Sequence, residues 1–427
     1  MRNFDVTVIG GGPAGLAAAI EASKTEAQVL LIEREQKLGG VLKQCIHDGF
    51  GVIRFGEKLS GSEYACRFIH EIKKTVVTIE TMTFVSKIAK KSGGFELSLT
   101  GDKGFEHVRS KTLVLATGCR ERTARQVAIH GTRPAGLITA GAAQYHINIQ
   151  GQLPGRRCVI LGSGDIGLIM ARRLTLEGSE VIGVYEAKAE PSGLSRNIYQ
   201  CLVDFGIPLH LSRTVTEVHG RDRVEGVTVA DVDEKMEPVP GTEEYITCDS
   251  LILSVGLIPE NELAEALGVD LDHSTKGAIC DQSYMTSVPG VFACGNALHV
   301  NDLVDYVSES GERAGKGAAE FALAPSEPSQ KHLEAKYLEV RPSEDFLYVV
   351  PQKIDTCRGE KTEFYFRTRK TRGRTTVVAT LDGTEIFRAG YQSLRPPEME
   401  KIAIDLGAFD IGNAKTVDFV MKEAGNE

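Results

Sequence analysis

The sequence predicts an α/β protein with two similar units of strand, glycine-rich turn and helix, followed by a small antiparallel β domain. Three observations lead to this prediction. An apolar, strand-like run at residues 5–9 leads directly into a glycine turn at residues 10–15. The same order recurs at residues 158–167. Beyond residue 331 the chain changes to short alternating runs separated by turns, which is typical of antiparallel strands.

The first glycine turn has the spacing of a dinucleotide-binding motif. Gly10 allows the tight turn, Gly12 lets the backbone approach a pyrophosphate, and Gly15 lets helix and strand pack closely. The phosphates would lie at the N-terminus of the following helix, where unpaired N–H groups and the positive end of the dipole point. The predicted contacts in this turn are Gly10, Gly12, Pro13, Ala14 and Gly15.

A second strand at residues 29–32 ends in Glu33, which lies 23 residues beyond Gly10. A carboxylate at this interval would accept a hydrogen bond from an adenosine ribose hydroxyl. A glycine turn without a ligand is the alternative interpretation. Because the strand, the helix and the acid are all in place, we favour a dinucleotide site.

The next segments predict a helix followed by strands. Residues 60–74 show the apolar spacing of an amphipathic helix, and residues 76–116 have a β pattern with a glycine hairpin at residues 92–94. The last of these strands is apolar and ends in a second tight turn. That turn consists of Ala116, Thr117 and Gly118.

The second unit repeats the first. Its second strand ends in Glu186, 24 residues beyond Gly162, against 23 in the first unit. Two matches with nearly equal spacing do not arise readily by chance, so we predict a second dinucleotide site. Its expected contacts are Gly162, Gly164, Asp165, Ile166, Gly167 and Glu186.

Glu186 also bears on which nucleotide this second site takes. Its carboxylate should accept from the 2′-hydroxyl of NAD and repel the 2′-phosphate of NADP. NADP sites usually place an arginine here, whereas only Lys188 is near in the sequence. We therefore expect NAD rather than NADP.

The later segments predict two more strand-to-turn elements, at residues 250–256 and 286–296, and a helix at residues 308–323. Residues 324–330 are predicted to be a linker. The predicted strands of the terminal domain lie at residues 346–350, 363–367, 375–380 and 385–389. A basic run at residues 367–374 is interpreted most simply as an exposed hairpin, with a docking surface for an acidic partner subunit as the alternative.

Composition narrows the class of protein. A chain of 427 residues should hold about three domains. A net charge of -9 argues against nucleic acid as a main partner. The nine cysteines are irregularly spaced, which predicts reduced thiols, a cytoplasmic location and no metal site. With no signal peptide and no apolar run near the ~18 residues of a membrane helix, we expect no membrane span.

Together these motifs resemble the pyridine-nucleotide-dependent flavoproteins of the glutathione reductase and thioredoxin reductase superfamily, over residues 1 to about 323. The resemblance implies two Rossmann-like domains, with FAD in the first and a nicotinamide nucleotide in the second. It implies a discontinuous FAD domain (1–124 and 256–324), an inserted NAD(P) domain (125–255) and a terminal β domain (331–427). The further cofactor contacts it implies are Arg34, Gly40, Val41, Ala116, Thr117, Gly118, Gly256, Gly295, Asn296, Tyr306 and Val307.

Three stretches, at residues 39–51, 131–141 and 162–178, look like a narrower bacterial group. Its members are similar to the α subunits of opine, sarcosine and hydrogen-cyanide-forming dehydrogenases. The group implies a partner dehydrogenase subunit, similar to glycerol-3-phosphate dehydrogenase, and a small cysteine-rich protein. The chain departs from the superfamily at Asn296, where Asp is usual, and in lacking a cysteine pair, because position 50 is Phe.

The loop at residues 38–51 holds the candidates for chemistry near the flavin. Cys45 and His47 are the first, with Asp48 able to hold the imidazole as an acid/base pair. Lys43 could stabilise a reduced flavin anion or a substrate carboxylate. The alternatives are a small buried thiol, a surface loop and a solvated lysine.

These features predict an FAD enzyme that exchanges hydride with NAD(H) and serves a partner that oxidises a small hydroxy or amino compound, such as glycerol 3-phosphate. One alternative is a self-sufficient NADH oxidase or reductase that uses Cys45 or dioxygen. Another is a non-catalytic assembly module that binds nucleotide structurally.

Overall fold

The computed structural model describes residues 1–324, 336–358 and 361–423. The chain forms two compact units, one made of Met1–Cys119 with Pro259–Glu427 and the other of Arg120–Ile258. The inserted unit thus extends a few residues beyond the predicted 125–255 at each end. Residues 325–330 of the predicted linker lie outside the described residues.

The first 119 residues build most of a seven-stranded sheet. The elements are β1 (Arg2–Ile9), α1 (Pro13–Ala22), β2 (Val29–Ile32), β3 (Asp48–Phe50), β4 (Leu59–Ser60), α2 (Gly61–Ile72), β5 (Thr78–Glu80), β6 (Thr83–Lys91), β7 (Gly94–Gly101) and β8 (Gly104–Leu115). The strand order is β5-β2-β1-β8-β7-β6. β1 is parallel to both neighbours, and β6, β7 and β8 are antiparallel. All four residues of β2 are buried, as expected for an apolar run inside a parallel sheet.

The inserted unit contains a five-stranded parallel sheet in the order β11-β18-β12-β13-β14. The elements between residues 119 and 253 are β9 (Cys119–Glu121), β10 (His130–Gly131), β11 (Leu137–Thr139), α3 (Ala140–Asn148), β12 (Arg157–Leu161), α4 (Asp165–Leu176), β13 (Glu180–Glu186), α5 (Ser195–Cys201), β14 (Leu209–Leu211), β15 (Arg213–His219), β16 (Gly226–Asp231), β17 (Glu244–Thr247) and β18 (Ser250–Leu253). β15 and β16 form an antiparallel pair, and β17 extends it.

The chain then returns to the first unit. The elements are β19 (Leu257–Pro259), α6 (Glu262–Ala266), β20 (Val291–Ala293) and α7 (Val304–Leu323). β20 pairs in parallel with β8, so the second dinucleotide unit is inserted into the first. α7 begins at Val304, four residues before the predicted start. It packs closely on α1, because a Cβ on Gly311 would lie 2.1 Å from the carbonyl oxygen of Ala14.

The terminal region forms two sheets around its own apolar core, which includes Phe364, Phe366 and Phe419. The strands are β21 (Tyr337–Pro342), β22 (Phe346–Val350), β23 (Lys353–Asp355), β24 (Lys361–Thr368), β25 (Thr375–Leu381), β26 (Thr384–Tyr391), β27 (Glu400–Asp405) and β28 (Thr416–Glu423). The pairs are antiparallel except β21 with β28. The predicted fold class is therefore confirmed, with one parallel pair in the terminal sheet.

Candidate dinucleotide-binding sites

The three glycines of the first turn differ in what surrounds them. Gly10 has φ 109°, and a Cβ there would lie 2.3 Å from the carbonyl oxygen of Ala116. A Cβ on Gly15 would lie 1.7 Å from the carbonyl oxygen of Gly10. At Gly12, by contrast, the nearest atom is the Cα of Gly40 at 3.8 Å. The protein itself therefore requires Gly10 and Gly15, whereas the space at Gly12 fits the approach of a pyrophosphate.

The second turn repeats this division. Gly162 has φ 99°, and its Cβ would lie 2.1 Å from the carbonyl oxygen of Ser254. A Cβ on Gly167 would lie 2.6 Å from the carbonyl oxygen of Gly162. The nearest atom to a Cβ on Gly164 is Ser254 Oγ at 3.7 Å. Both turns thus leave room for a ligand at the middle glycine.

The helix that follows the first turn has an N-terminus suited to an anion. Pro13 occupies its first turn, which contains no acidic residue, and Gly12 provides no side-chain cap. Because the first N–H groups of a helix have no partner within the helix, they can donate to phosphate oxygens. This arrangement fits the pyrophosphate of FAD.

The two predicted acids are buried and held in equivalent ways. Glu33 Oε2 accepts from the N–H of Gly11 at 2.8 Å, and its Oε1 accepts from the N–H of Glu35 at 2.8 Å. In the second unit, Glu186 Oε2 accepts from the N–H of Ser163 at 3.0 Å. Each oxygen of Glu33 can accept a further hydrogen bond, and so can Oε1 of Glu186, which accepts from the N–H of Lys188 at 3.1 Å. Both acids are therefore fixed beside their turns with capacity left for a ribose hydroxyl.

The second turn has one feature that the sequence did not reveal. Ser163 Oγ donates to Glu186 at 2.6 Å and accepts from the N–H of Ser192 at 2.9 Å. Asp165 Oδ1 accepts from the N–H of Leu194 at 2.9 Å and from Asn197 at 2.7 Å. Asp165, predicted as a nucleotide contact, thus holds Leu194 and Asn197 beside the turn, and Ser163 holds Ser192. Ile166 packs against the apolar core of this unit.

The segment that follows β20 meets the first turn. A Cβ on Gly295 would lie 2.8 Å from the Cβ of Ala14 and 3.3 Å from Cγ1 of Val307. Asn296 Oδ1 accepts from the N–H of Asn301 at 3.0 Å. The structure therefore brings together three predicted FAD contacts that lie far apart in the sequence, namely Ala14, Gly295 and Val307.

The turn after β8 is fixed by the chain that returns from the inserted unit. Thr117 Oγ1 donates to the carbonyl oxygen of Glu260 at 2.6 Å, and the N–H of Glu260 donates to the carbonyl oxygen of Gly118 at 2.9 Å. Arg34 is 59% exposed, and its guanidinium lies 3.5 Å from the Glu260 carboxylate. Arg34 is thus placed at the surface, beside an acid.

The remaining predicted contacts have mixed surroundings. Val41 is exposed, and the ring of Tyr306 lies 5.5 Å from that of Tyr365 in an edge-on arrangement. Gly256 belongs to the inserted unit, where a Cβ on it would lie 3.8 Å from the Arg122 side chain.

The candidates for chemistry in the loop have different surroundings. Cys45 is buried, and burial raises its pKa to about 12, which disfavours the reactive thiolate. His47 Nδ1 lies 3.2 Å from the main-chain oxygen of Asp48. Lys43 donates to the Glu35 carboxylate, so its charge already has a partner. These surroundings support the alternative of a buried thiol at Cys45, whereas Lys43 lies in an ion pair and is not simply solvated.

Two contacts tie α2 and Arg54, which precedes it, to α7, and the sequence did not indicate either. Tyr64 Oη donates to Ser308 Oγ at 2.9 Å, and the N–H of Arg54 donates to Asp305 at 2.9 Å. The sequence places Tyr64 on the apolar face of the helix predicted at residues 60–74, whereas its partner Ser308 lies 244 residues away. No local pattern could have paired these residues.

Within the described residues, no helix has the length and hydropathy to cross a membrane. The same residues contain no group of three His, Cys, Asp or Glu side chains placed to share a metal ion.

The parallel sheets and the paired glycine turns define a two-domain dinucleotide-binding protein. The sequence profile described as "Pyridine nucleotide-disulphide oxidoreductase" matches residues 4–316. The chain belongs to this family of FAD- and NAD(P)-dependent oxidoreductases, which confirms the predicted family.

Two curated relatives and one solved structure illustrate the likeness. The chain is 30% identical over 320 residues to the hydrogen cyanide synthase subunit HcnB of Pseudomonas protegens, a match that covers 69% of this chain and 66% of HcnB. It is 24% identical to a ferredoxin–NADP reductase of Leuconostoc mesenteroides, covering 71% of this chain and 88% of that one. Thioredoxin reductase of T. acidophilum, at 23% identity, superposes with a TM-score of 0.61 over 76% of this chain and 100% of that one. The chain therefore spans about 66% of the length of the HcnB relative.

Proposed function

We propose that this chain is an FAD-containing subunit that exchanges hydride with NAD(H) and passes electrons to or from a partner that oxidises a small hydroxy or amino compound, such as glycerol 3-phosphate. The observation that carries the proposal is the open space at the middle glycine of both turns. Since the protein needs no glycine at Gly12 or Gly164, a ligand that approaches the backbone accounts for both.

In this proposal the chain binds and orients both nucleotides. Gly12 and the N-terminus of α1 hold the FAD pyrophosphate, and Glu33 accepts from its ribose. Gly164 and Glu186 do the same for NAD. Bound FAD supplies the hydride chemistry with the nicotinamide, so no general base is required for that half-reaction.

The preference for NAD rests on Glu186. In this proposal its buried carboxylate would be close to a bound 2′-phosphate, and the two charges would repel. The likeness to a ferredoxin–NADP reductase points the other way, so the two nucleotides have to be compared directly.

The partner is proposed from the likeness to one relative, which is a subunit of hydrogen cyanide synthase. We propose a substrate-oxidising flavoprotein and a small cysteine-rich protein as the other subunits. None of the nine cysteines, all of which lie in the described residues, forms a disulfide, which fits a cytoplasmic complex. A self-sufficient oxidase that depends on Cys45 is disfavoured, because burial raises the pKa of this thiol.

The test is an anaerobic titration of the purified flavoprotein with NADH, NADPH and glycerol 3-phosphate, followed by the visible flavin spectrum. We expect NADH to bleach the flavin at lower concentration than NADPH. A preference for NADPH would overturn the role of Glu186. Bleaching by glycerol 3-phosphate alone would make this chain the substrate dehydrogenase. A flavin that none of them reduces, even with the partner present, would favour a structural nucleotide site.

A further inference from the structure

A buried arginine of the terminal β domain lies against the segment that enters α7. Arg367, in β24, has a side chain that is only 12% exposed. Its Nη2 donates to the Asp302 carboxylate and, at 3.3 Å, to the carbonyl oxygen of Val300. Its Nε donates to Tyr348 Oη at 3.0 Å, within the terminal domain. One guanidinium thus joins the two parts of this unit, and the predicted exposed hairpin is wrong at Arg367.

The same segment is held at further points. Asp302 Oδ2 accepts from the N–H of Met399 at 2.7 Å, while Arg367 binds the other oxygen. The ring of His299 is buried and lies 5.8 Å from the ring of Tyr348. Residues 299–302 are therefore fixed by the terminal domain through charge, hydrogen bonds and ring packing.

A second cluster holds the next turns of α7. Lys401, in β27, donates to both carboxylate oxygens of Glu309 at 2.7 and 2.8 Å and lies 2.9 Å from Glu363. Arg313, one turn beyond Glu309, donates to Glu363 at 2.5 Å. These ion pairs tie the second and third turns of α7 to the terminal sheet. Arg367 binds Asp302, just before the helix begins.

The first turn of α7 is the part of the helix that would face a bound flavin in the proposed site. Its N-cap, Leu303, makes no side-chain capping hydrogen bond, so the first N–H groups are not covered by a cap. Val307 of the first turn lies beside Gly295, in the segment expected to contact FAD. The positive end of a helix dipole stabilises negative charge, and its effect is limited to the first turn. A small displacement of this turn would therefore change how well it stabilises a reduced flavin.

We propose that Arg367 is a positioning residue of the flavin site, which fixes residues 299–303 and thereby the first turn of α7 against the flavin. The inference rests on the proposed binding of FAD. It gives the terminal domain a function, because Arg367 and Met399 of that domain bind Asp302 and Lys401 binds Glu309 of α7. The shape of the guanidinium matters as well as its charge, since its fork serves Asp302 and Tyr348 at once.

The experiment compares the full-length flavoprotein with the variants Arg367→Met, Arg367→Lys and Asp302→Asn. The matched control is Arg341→Met, because Arg341 pairs with Glu339 on an exposed part of the same domain. The readouts are the midpoint potential of the flavin and hydrogen exchange of the amides at residues 300–307. We expect Arg367→Met to disfavour the reduced flavin about tenfold, which is about 30 mV for a two-electron couple. Exchange at these amides should be faster, and Arg341→Met should match the wild type.

The other variants separate position from charge and guard against misfolding. Arg367→Lys keeps the charge without the fork, so we expect only partial recovery. If Arg367→Lys restored both readouts fully, the charge alone would account for the effect and the proposed positioning role would be wrong. Asp302→Asn is the milder change and should shift both readouts in the same direction as Arg367→Met. Unchanged readouts in both Arg367→Met and Asp302→Asn would overturn the proposal. A wild-type chain that binds no FAD would refute the proposed function, while exchange in the apoprotein would still decide whether Arg367 fixes the segment.

Discussion

Replacing Gly12 with alanine separates what the ligand needs from what the fold needs. Gly12 has φ -77° and ψ -173°, which any residue can adopt, and its Cβ would be in ordinary contact at 3.8 Å. Such a change on open backbone usually alters the free energy of unfolding by no more than about 0.5 kcal/mol. The apoprotein of Gly12→Ala should therefore unfold at nearly the wild-type temperature.

Binding of FAD should respond very differently. A methyl group at Gly12 would stand where the pyrophosphate has to approach the backbone. If the change costs one charge-assisted hydrogen bond, the loss is about 1.5–3 kcal/mol. With 1.4 kcal/mol for each factor of ten, this predicts FAD binding that is about 10- to 150-fold weaker.

The matched comparison is Gly15→Ala, three residues away. Its Cβ would lie 1.7 Å from the carbonyl oxygen of Gly10, so the helix would have to move from the strand. We expect this variant to lose stability by at least the ~1–3 kcal/mol typical of overpacking. The assay is thermal unfolding of the deflavinated chains, together with titration of FAD by flavin fluorescence. Wild-type affinity for FAD in a folded Gly12→Ala chain would refute the assignment of this turn.

Two further predictions concern buried side chains. Burial lowers the pKa of His299 to about 3, and the charge of Arg367 acts in the same direction. In the unfolded chain this histidine has an ordinary pKa of about 6.5. Between about pH 6 and 4 the unfolded chain therefore binds a proton that the folded chain does not, so the free energy of unfolding decreases as the pH is lowered. In urea unfolding, the free energy of unfolding of the wild type should fall by about 1.4 kcal/mol more than that of His299→Gln for each unit by which the pH is lowered. Parallel pH profiles of the two proteins would contradict this. Cys45→Ser should keep NADH-dependent bleaching of the flavin, because burial raises the thiol pKa to about 12; loss of bleaching in a folded variant would revive the thiol mechanism.

The parts that could be predicted are those whose contacts are local. The clash that demands glycine at Gly15 is with Gly10, five residues away, and Glu33 binds the turn through Gly11. Strand, turn, helix and acid follow one another in about thirty residues. The local pattern therefore predicts the strand, turn, helix and acid of each unit, although the close contacts of Gly10 and Gly162 are with the remote Ala116 and Ser254.

The parts that could not be predicted depend on remote partners. Arg367 lies in a basic run that suggests an exposed hairpin, yet its partner Asp302 is 65 residues away. Arg372 of the same run pairs with Asp345. The central strand β28 pairs with β21 and β25, and neither pairing has a local turn signal. In the first turn of α7, Asp305 likewise accepts from the N–H of Arg54, far back in the chain.

The two sites differ in how many separate segments build them, although their turns are alike. Around the first turn, Ala14 meets Gly295 and Val307, which come from the chain that returns after the whole inserted unit. Around the second turn, the contacts come from residues 163–197 and from Ser254. A ligand in the first site would therefore contact segments that no short stretch of chain connects, although α7 also packs directly on α1 and β20 pairs with β8. This difference fits a resident flavin in the first site and an exchanging nicotinamide nucleotide in the second.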